Sequence, residues 1–228
     1  MAMLPVAQLY VRDVPDLHAP EEADLLQVLW CPFDHPIMPK TALFWRSAAT
    51  VTDILTAPPE PPAMQFDDYL PEPCLLSPEQ VTEYPGPREL SKELREELGD
   101  WSRWRAAGAD DDNPYASEPE LFYRFSLSVA PGWKVGGWPS WDATDPDPQY
   151  CSACGNRMDP LLSIVTFEEG DDETRSWFPY GEAADEPSPG SGHFDPGQPT
   201  AVQIGSGYDQ QLYICPASPE HPHTELMQ

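Results

Sequence analysis

Cys151, Cys154, Cys215 and His221 are the residues of this chain whose types and spacing best suit chemistry. The first two form Cys-x-x-Cys within Tyr150-Cys-Ser-Ala-Cys-Gly155, and the others form Cys-x5-His within Cys215-Pro-Ala-Ser-Pro-Glu-His221. Thiolates at i and i+3 on a short knuckle reach one ion from the same side, and the glycine permits the tight backbone turn. A second pair from a distant segment completes four ligands. The set predicts one closed tetrahedral site holding structural Zn2+, with Zn–S near ~2.3 Å and Zn–N near ~2.1 Å. In zinc-finger peptides such sites contribute roughly 10–16 kcal/mol of coupled folding free energy, so losing the ion is expected to unfold at least the C-terminal half.

A closed site leaves no open position for chemistry, which predicts a binding protein with no catalytic residues. The alternative is a zinc-dependent hydrolase using the same metal site, with three protein ligands and a water. His223 competes with His221 for the fourth place, and Cys31 and His35 supply it if the two halves of the chain meet there. A redox dithiol is disfavoured, because such pairs open helices and Gly155-Asn156 with Pro160 oppose one here. Cys74 lacks a nearby partner and reads as a buried thiol. There is no Gly-x-Ser-x-Gly elbow, Walker A loop or His-Glu-x-x-His. His18 and His193 lie in proline-rich or loop contexts and read as solvated.

The elements that position these ligands must be short. Thirty prolines and 14 glycines among 228 residues favour brief strands and many turns over long helices. Strands are expected at residues 8–12, 25–30, 42–45, 121–129, 161–167, 201–204 and 211–214, the last two joined as a hairpin through Gly205-Ser-Gly-Tyr-Asp209. Residues 57–73, crowded with prolines, read as extended surface chain, and a short helix is expected to start at Ser77-Pro78-Glu79. Pro87 to about Ala107 reads as one helix, because Leu90, Leu94, Leu98 and Trp101 fall on one face. Residues 109–119 read as an acidic linker and 181–199 as a mobile loop.

The formal charge is −27, with lysine only at positions 40, 92 and 134. Such acidity repels phosphate backbones, so no nucleic-acid partner is expected; a basic protein would be attracted and steered. No apolar run is long enough for a membrane span, and the first residues lack a basic, then apolar, leader pattern. The expected location is cytoplasmic. An odd count of five cysteines in a reducing compartment favours metal or free thiols over disulfides.

Two internal segments echo each other. Leu-Gln-Val-Leu-Trp-Cys31-Pro-Phe-Asp-His35-Pro and Gln-Gln-Leu-Tyr-Ile-Cys215-Pro-Ala-Ser-Pro-Glu-His221-Pro are both apolar strands running into Cys-Pro, then an acid, then His-Pro. The run Lys134-Val-Gly-Gly-Trp138-Pro-Ser-Trp141, then the Cys-x-x-Cys, then Pro160-Leu-Leu-Ser-Ile164, then Leu212-Tyr-Ile-Cys-Pro216, resembles the YwqG-like bacterial domain of unknown function and the related programmed-cell-death-2/Tsr4 superfamily. The likeness covers roughly residues 132–223, more faintly the first half. Ser163 stands where the family has glutamine, His221 replaces a final cysteine, and the first half has no second Cys-x-x-Cys.

The resemblance implies an α+β, mainly β, pseudo-two-fold domain of two β-rich halves with a connecting helix and a zinc knuckle. A single domain would span residues 1–228, as an N-terminal half (1–86), a connecting helix and acidic linker (87–119) and a C-terminal half (120–228). It further implies stoichiometric protein binding, chaperone-like or immunity-type, to a basic partner. In the cluster of Trp133, Trp138, Trp141 and Trp177, the residues Trp138 and Trp141 beside the Gly-Gly turn are candidate partner-binding residues, against the alternative that they pack around the knuckle.

Overall fold

The computed structural model describes residues 3–57, 61–141, 143–168, 177 and 198–228. It is α+β and mainly β, with a three-stranded and a four-stranded antiparallel sheet and three short α-helices among the described residues. The first sheet has the order β1 (Leu4–Tyr10), β2 (Leu25–Asp34), β3 (Pro39–Arg46). β2 is central, and its alternation buries Leu26, Val28 and Trp30. A half-buried antiparallel strand requires that period of two. Tyr69, on a 3-10 turn at Asp67–Tyr69, closes over this face: the Trp30 Nε1–H donates to the Tyr69 carbonyl at 2.9 Å. The proline-rich stretch is therefore pinned by a buried tyrosine and is not simply surface chain.

The second sheet has the order β4 (Lys134–Val135), β5 (Asp159–Ile164), β6 (Gln210–Ile214), β7 (Thr224–Met227). Its central strands put Leu161, Leu162, Ile164 and Leu212 into the same core cluster as Leu4, Leu26 and Trp30. The sheets also meet at an edge, where Glu225 of β7 accepts hydrogen bonds from the Thr41 backbone N–H (2.5 Å) and the Thr41 hydroxyl, and pairs with Lys40 at 3.0 Å.

Several sequence expectations are corrected. The single helix over 87–107 is a 3-10 turn at Pro87–Glu89 followed by α1 (Lys92–Leu98) and α2 (Trp101–Ala106). Asp100 breaks the run because its carboxylate accepts from the Ser102 N–H and caps a fresh helix. The strand expected over 121–129 is instead α3 (Pro119–Ser126). Proline at the first position and Glu120 in the first turn suit a helix start, and Phe122 packs edge-on against Trp101 and Trp104 at ring separations of 5.4 and 5.1 Å. Tertiary packing overrides the β-propensity of these aromatics. No helix forms at Ser77: residues 75–81 are exposed and irregular, and a short helix with no face to bury does not persist.

Residues 201–204 form no strand; Ile204 bridges only to Tyr208, and β6 pairs with β5 and β7 instead. β4 and β7 are too short or too polar to stand out in the sequence. Cys74 is exposed, in the irregular chain before α1. The loop expected at 181–199 lies, up to residue 197, outside the described residues, as does His193; His18 is exposed.

Candidate metal centre

The knuckle is built by backbone geometry. The Cys151 N–H donates to the Asn156 carbonyl at 2.9 Å, the Gly155 N–H donates to the Cys151 carbonyl at 2.8 Å, and Tyr150 bridges to Arg157. Gly155 has φ +76° with open space around it, so conformation and not crowding requires glycine there. The turn leads directly into β5. Cys215 follows the last residue of β6, the neighbouring strand, and Asp159 pairs with Ile214 in register. That pairing brings residues 61 positions apart to the same end of the sheet.

There the four predicted ligands converge. The Sγ atoms of Cys151, Cys154 and Cys215 and a ring nitrogen of His221 all lie within 4.8 Å of one another. Cys154 Sγ and Cys215 Sγ are 3.5 Å apart, His221 Nδ1 is 3.3 Å from Cys215 Sγ, and it is 3.6 Å from Cys151 Sγ. Tetrahedral coordination at ordinary zinc bond lengths sets S···S edges of about 3.8 Å and S···N edges of about 3.6 Å. The donor set therefore fits a single tetrahedral ion, and the three cysteines are free thiols. Cys151 and Cys215 are buried with Met158 and Tyr213, while Cys154 is exposed.

Electrostatics at Cys215 favour the thiolate that a metal requires. Burial pushes its thiol up, but the His221 ring and the backbone N–H groups of Ser218 and Ala217 outweigh burial and hold it at about 6. Cys154 moves the other way: the Asn156 N–H lowers it, yet burial and the neighbouring sulfurs of Cys215 and Cys151 leave it above the ordinary thiol value. Crowded sulfurs without a counter-charge cannot all ionise, and a divalent cation among them removes that conflict.

The alternate ligands lie elsewhere. The His223 Nε2 is 2.9 Å from the Thr41 hydroxyl and 3.5 Å from the Glu225 carboxylate, so it joins the sheets. Cys31 lies within β2, and His35 is exposed beyond it; neither belongs to the cluster. Of the two echoing segments, only Cys215 to His221 contributes donors to the cluster among the described residues.

Beside the knuckle, the Lys134-to-Trp141 turn is organised by a residue that spacing could not reveal. The Glu83 carboxylate pairs with the Lys134 ammonium at 2.8 Å and accepts from the Ala130 N–H (2.5 Å) and the Trp138 N–H. Lys134 also donates to the Trp138 carbonyl at 2.7 Å. A Cβ on Gly137 would collide with Glu83 Oε1, which gives the second glycine its reason. Trp141 is buried and Trp138 exposed, and both line a cavity against the knuckle. Trp133 packs on the main core, and the Trp177 indole donates to the Phe125 carbonyl at 2.9 Å.

The chain matches no protein-family model, no curated protein and no solved structure. No helix of the described residues is long and apolar enough to cross a membrane.

Proposed function

We propose that this chain is a non-catalytic, zinc-stabilised protein-binding module that engages a basic partner. One observation carries the reading: the donor atoms of Cys151, Cys154, Cys215 and His221 all lie within 4.8 Å of one another, close enough to share one ion. Four protein donors fill the coordination of zinc, which supports a structural centre over a hydrolytic one. The zinc would clamp the knuckle to the segment after β6 and so hold one end of the second sheet. A charge of −27 supports a basic protein as the partner, since complementary charge steers encounter and selects against acidic competitors.

The resemblance to YwqG-like domains and the programmed-cell-death-2/Tsr4 superfamily supports the same class of activity, chaperone-like or immunity-type. The proposed pseudo-two-fold draws support from β2 and β6, each the middle of three consecutive antiparallel strands and each carrying a Cys-Pro at or just after its C-terminal part.

Elemental analysis of the purified chain tests the centre. We expect one zinc per chain, lost or much weakened in Cys154→Ser and His221→Ala and retained in His223→Ala. Full metal in the Cys154 variant would overturn the assignment. A pull-down from the native cell tests the partner; a return of nothing above background would count against stoichiometric binding.

A further inference from the structure

The wall between the knuckle and the Gly-Gly turn lines a half-open cavity of about 290 Å3. Ligand pockets commonly run to roughly 300–1,000 Å3, so this one has room for a single side chain. Its aromatic surfaces come from Trp138, Trp141 and Tyr213, and its charged groups are Glu89, Asp147, Asp159 and Arg157. Three carboxylates face one guanidinium. Trp141 is 8% exposed and Tyr213 3%, whereas Trp138 is 36% exposed and open to an incoming group.

Two polar atoms in this wall make no hydrogen bond of good geometry: the Trp141 indole N–H and Glu89 Oε2 are buried and face one another without closing one. Orphaned buried polar atoms are rare in folded proteins and ask for a cause. Burial lifts Glu89 above the ordinary carboxylate range, and Trp141, the Gly86 N–H and Arg157 only partly offset it. The wall is held in place around these atoms: Arg88 donates to the Trp141 carbonyl at 2.6 Å and the Thr144 carbonyl at 2.8 Å.

We propose that this cavity takes one arginine side chain of the basic partner, its guanidinium stacked on Trp138 and hydrogen-bonded to Glu89, whose carboxyl turns from the Trp141 indole to meet it. This rests on the reading of the chain as a binder of a basic protein. The choice of arginine is physical. A planar, weakly hydrated guanidinium satisfies a carboxylate with parallel N–H donors while its face lies on an indole, whereas an ammonium is a strongly hydrated point charge. A negative lining supplies the charge complementarity, and the aromatic walls shelter the ion pair from water.

The test uses the full-length chain and a blocked pentapeptide, Gly-Gly-Arg-Gly-Gly, beside versions with citrulline or lysine at the centre, read by the NMR signals of the indole N–H groups. The arginine peptide is expected to shift the Trp138 and Trp141 signals and to bind at least about tenfold more tightly than the citrulline peptide, as suits a charge-assisted contact. Glu89→Gln and Trp138→Ala should each weaken it by about tenfold, and Glu96→Gln, on exposed α1, should not. Trp138 is the more exposed site, so its variant carries the test if Glu89→Gln fails to fold. Equal binding of the citrulline or lysine peptide, or unchanged binding by the Trp138 variant, overturns the proposal. If those variants still retain the basic protein with full affinity, the cavity assignment falls while the partner reading stands. A wild-type chain that retains no basic protein sinks the partner reading itself.

Discussion

Two residues beyond His221, the His223 ring turns toward Thr41 and Glu225, so neighbouring histidines join the cysteine cluster and a sheet junction separately. Glu225 shows what the junction does to a carboxyl. Burial would raise it, but His223, the hydroxyl and N–H of Thr41, and Lys40 outweigh burial and hold it at about 2. A carboxyl whose folded value is depressed adds stability that is complete above its unfolded value and lost as pH falls toward its folded value. The contribution of Glu225 should therefore disappear between about pH 4.5 and about pH 2. Denaturation curves across that window should show wild type losing stability more steeply than Glu225→Gln. Parallel curves would mean that the junction adds nothing through Glu225.

At the scale of elements, the turn after β4 depends on one buried ion pair. The Glu83 and Lys134 side chains are 8% and 14% exposed, so removing one partner strands the other's charge. Glu83→Ala is expected to cost about 3–5 kcal/mol by urea denaturation. Gly137→Ala combines a φ of +73° with a collision against Glu83 and should cost about 2 kcal/mol or more. Gly136→Ala meets open space at φ +69° and should cost about 1 kcal/mol, from conformation alone. Equal losses at the two glycines would show that Glu83 yields freely and does not organise the turn.

The whole molecule is joined through one apolar cluster. Leu26 and Trp30 of the first sheet share it with Leu162, Ile164 and Leu212 of the second. The small cluster around the candidate metal centre, with Cys151, Met158, Tyr213 and Cys215, is separate from it. Chelation is therefore expected to lower the melting temperature and to expose the amides of residues 150–158 and 215–223 to exchange, while β2 stays protected. This is narrower than the loss of a whole half that the ligand spacing alone suggests. Exchange that opens β2 and the knuckle together would show that the main core also depends on the ion. At the same scale, binding of a basic partner should weaken as salt rises, because exposed charges more than about 8 Å apart are screened at physiological ionic strength.

How much was legible depended on how local the physics is. Cys-x-x-Cys with glycine is a local constraint, since bond lengths and one positive φ restrict what a four-residue loop can do, and the four ligands could be named from spacing. Strands β2 and β6 carry apolar runs that mark them in isolation. The span from Pro87 to Ser126 is less legible, because Asp100 capping and the Phe122 contact with Trp101 and Trp104 turn one helix and one strand into three helices. Residue types alone determined the donor set, the acidity and the β-rich character. Only the tertiary structure placed His221 with the cysteines and His223 with Thr41, set Glu83 against Lys134 across 51 positions, and brought Glu89 to Trp141, because those placements depend on which strands lie side by side.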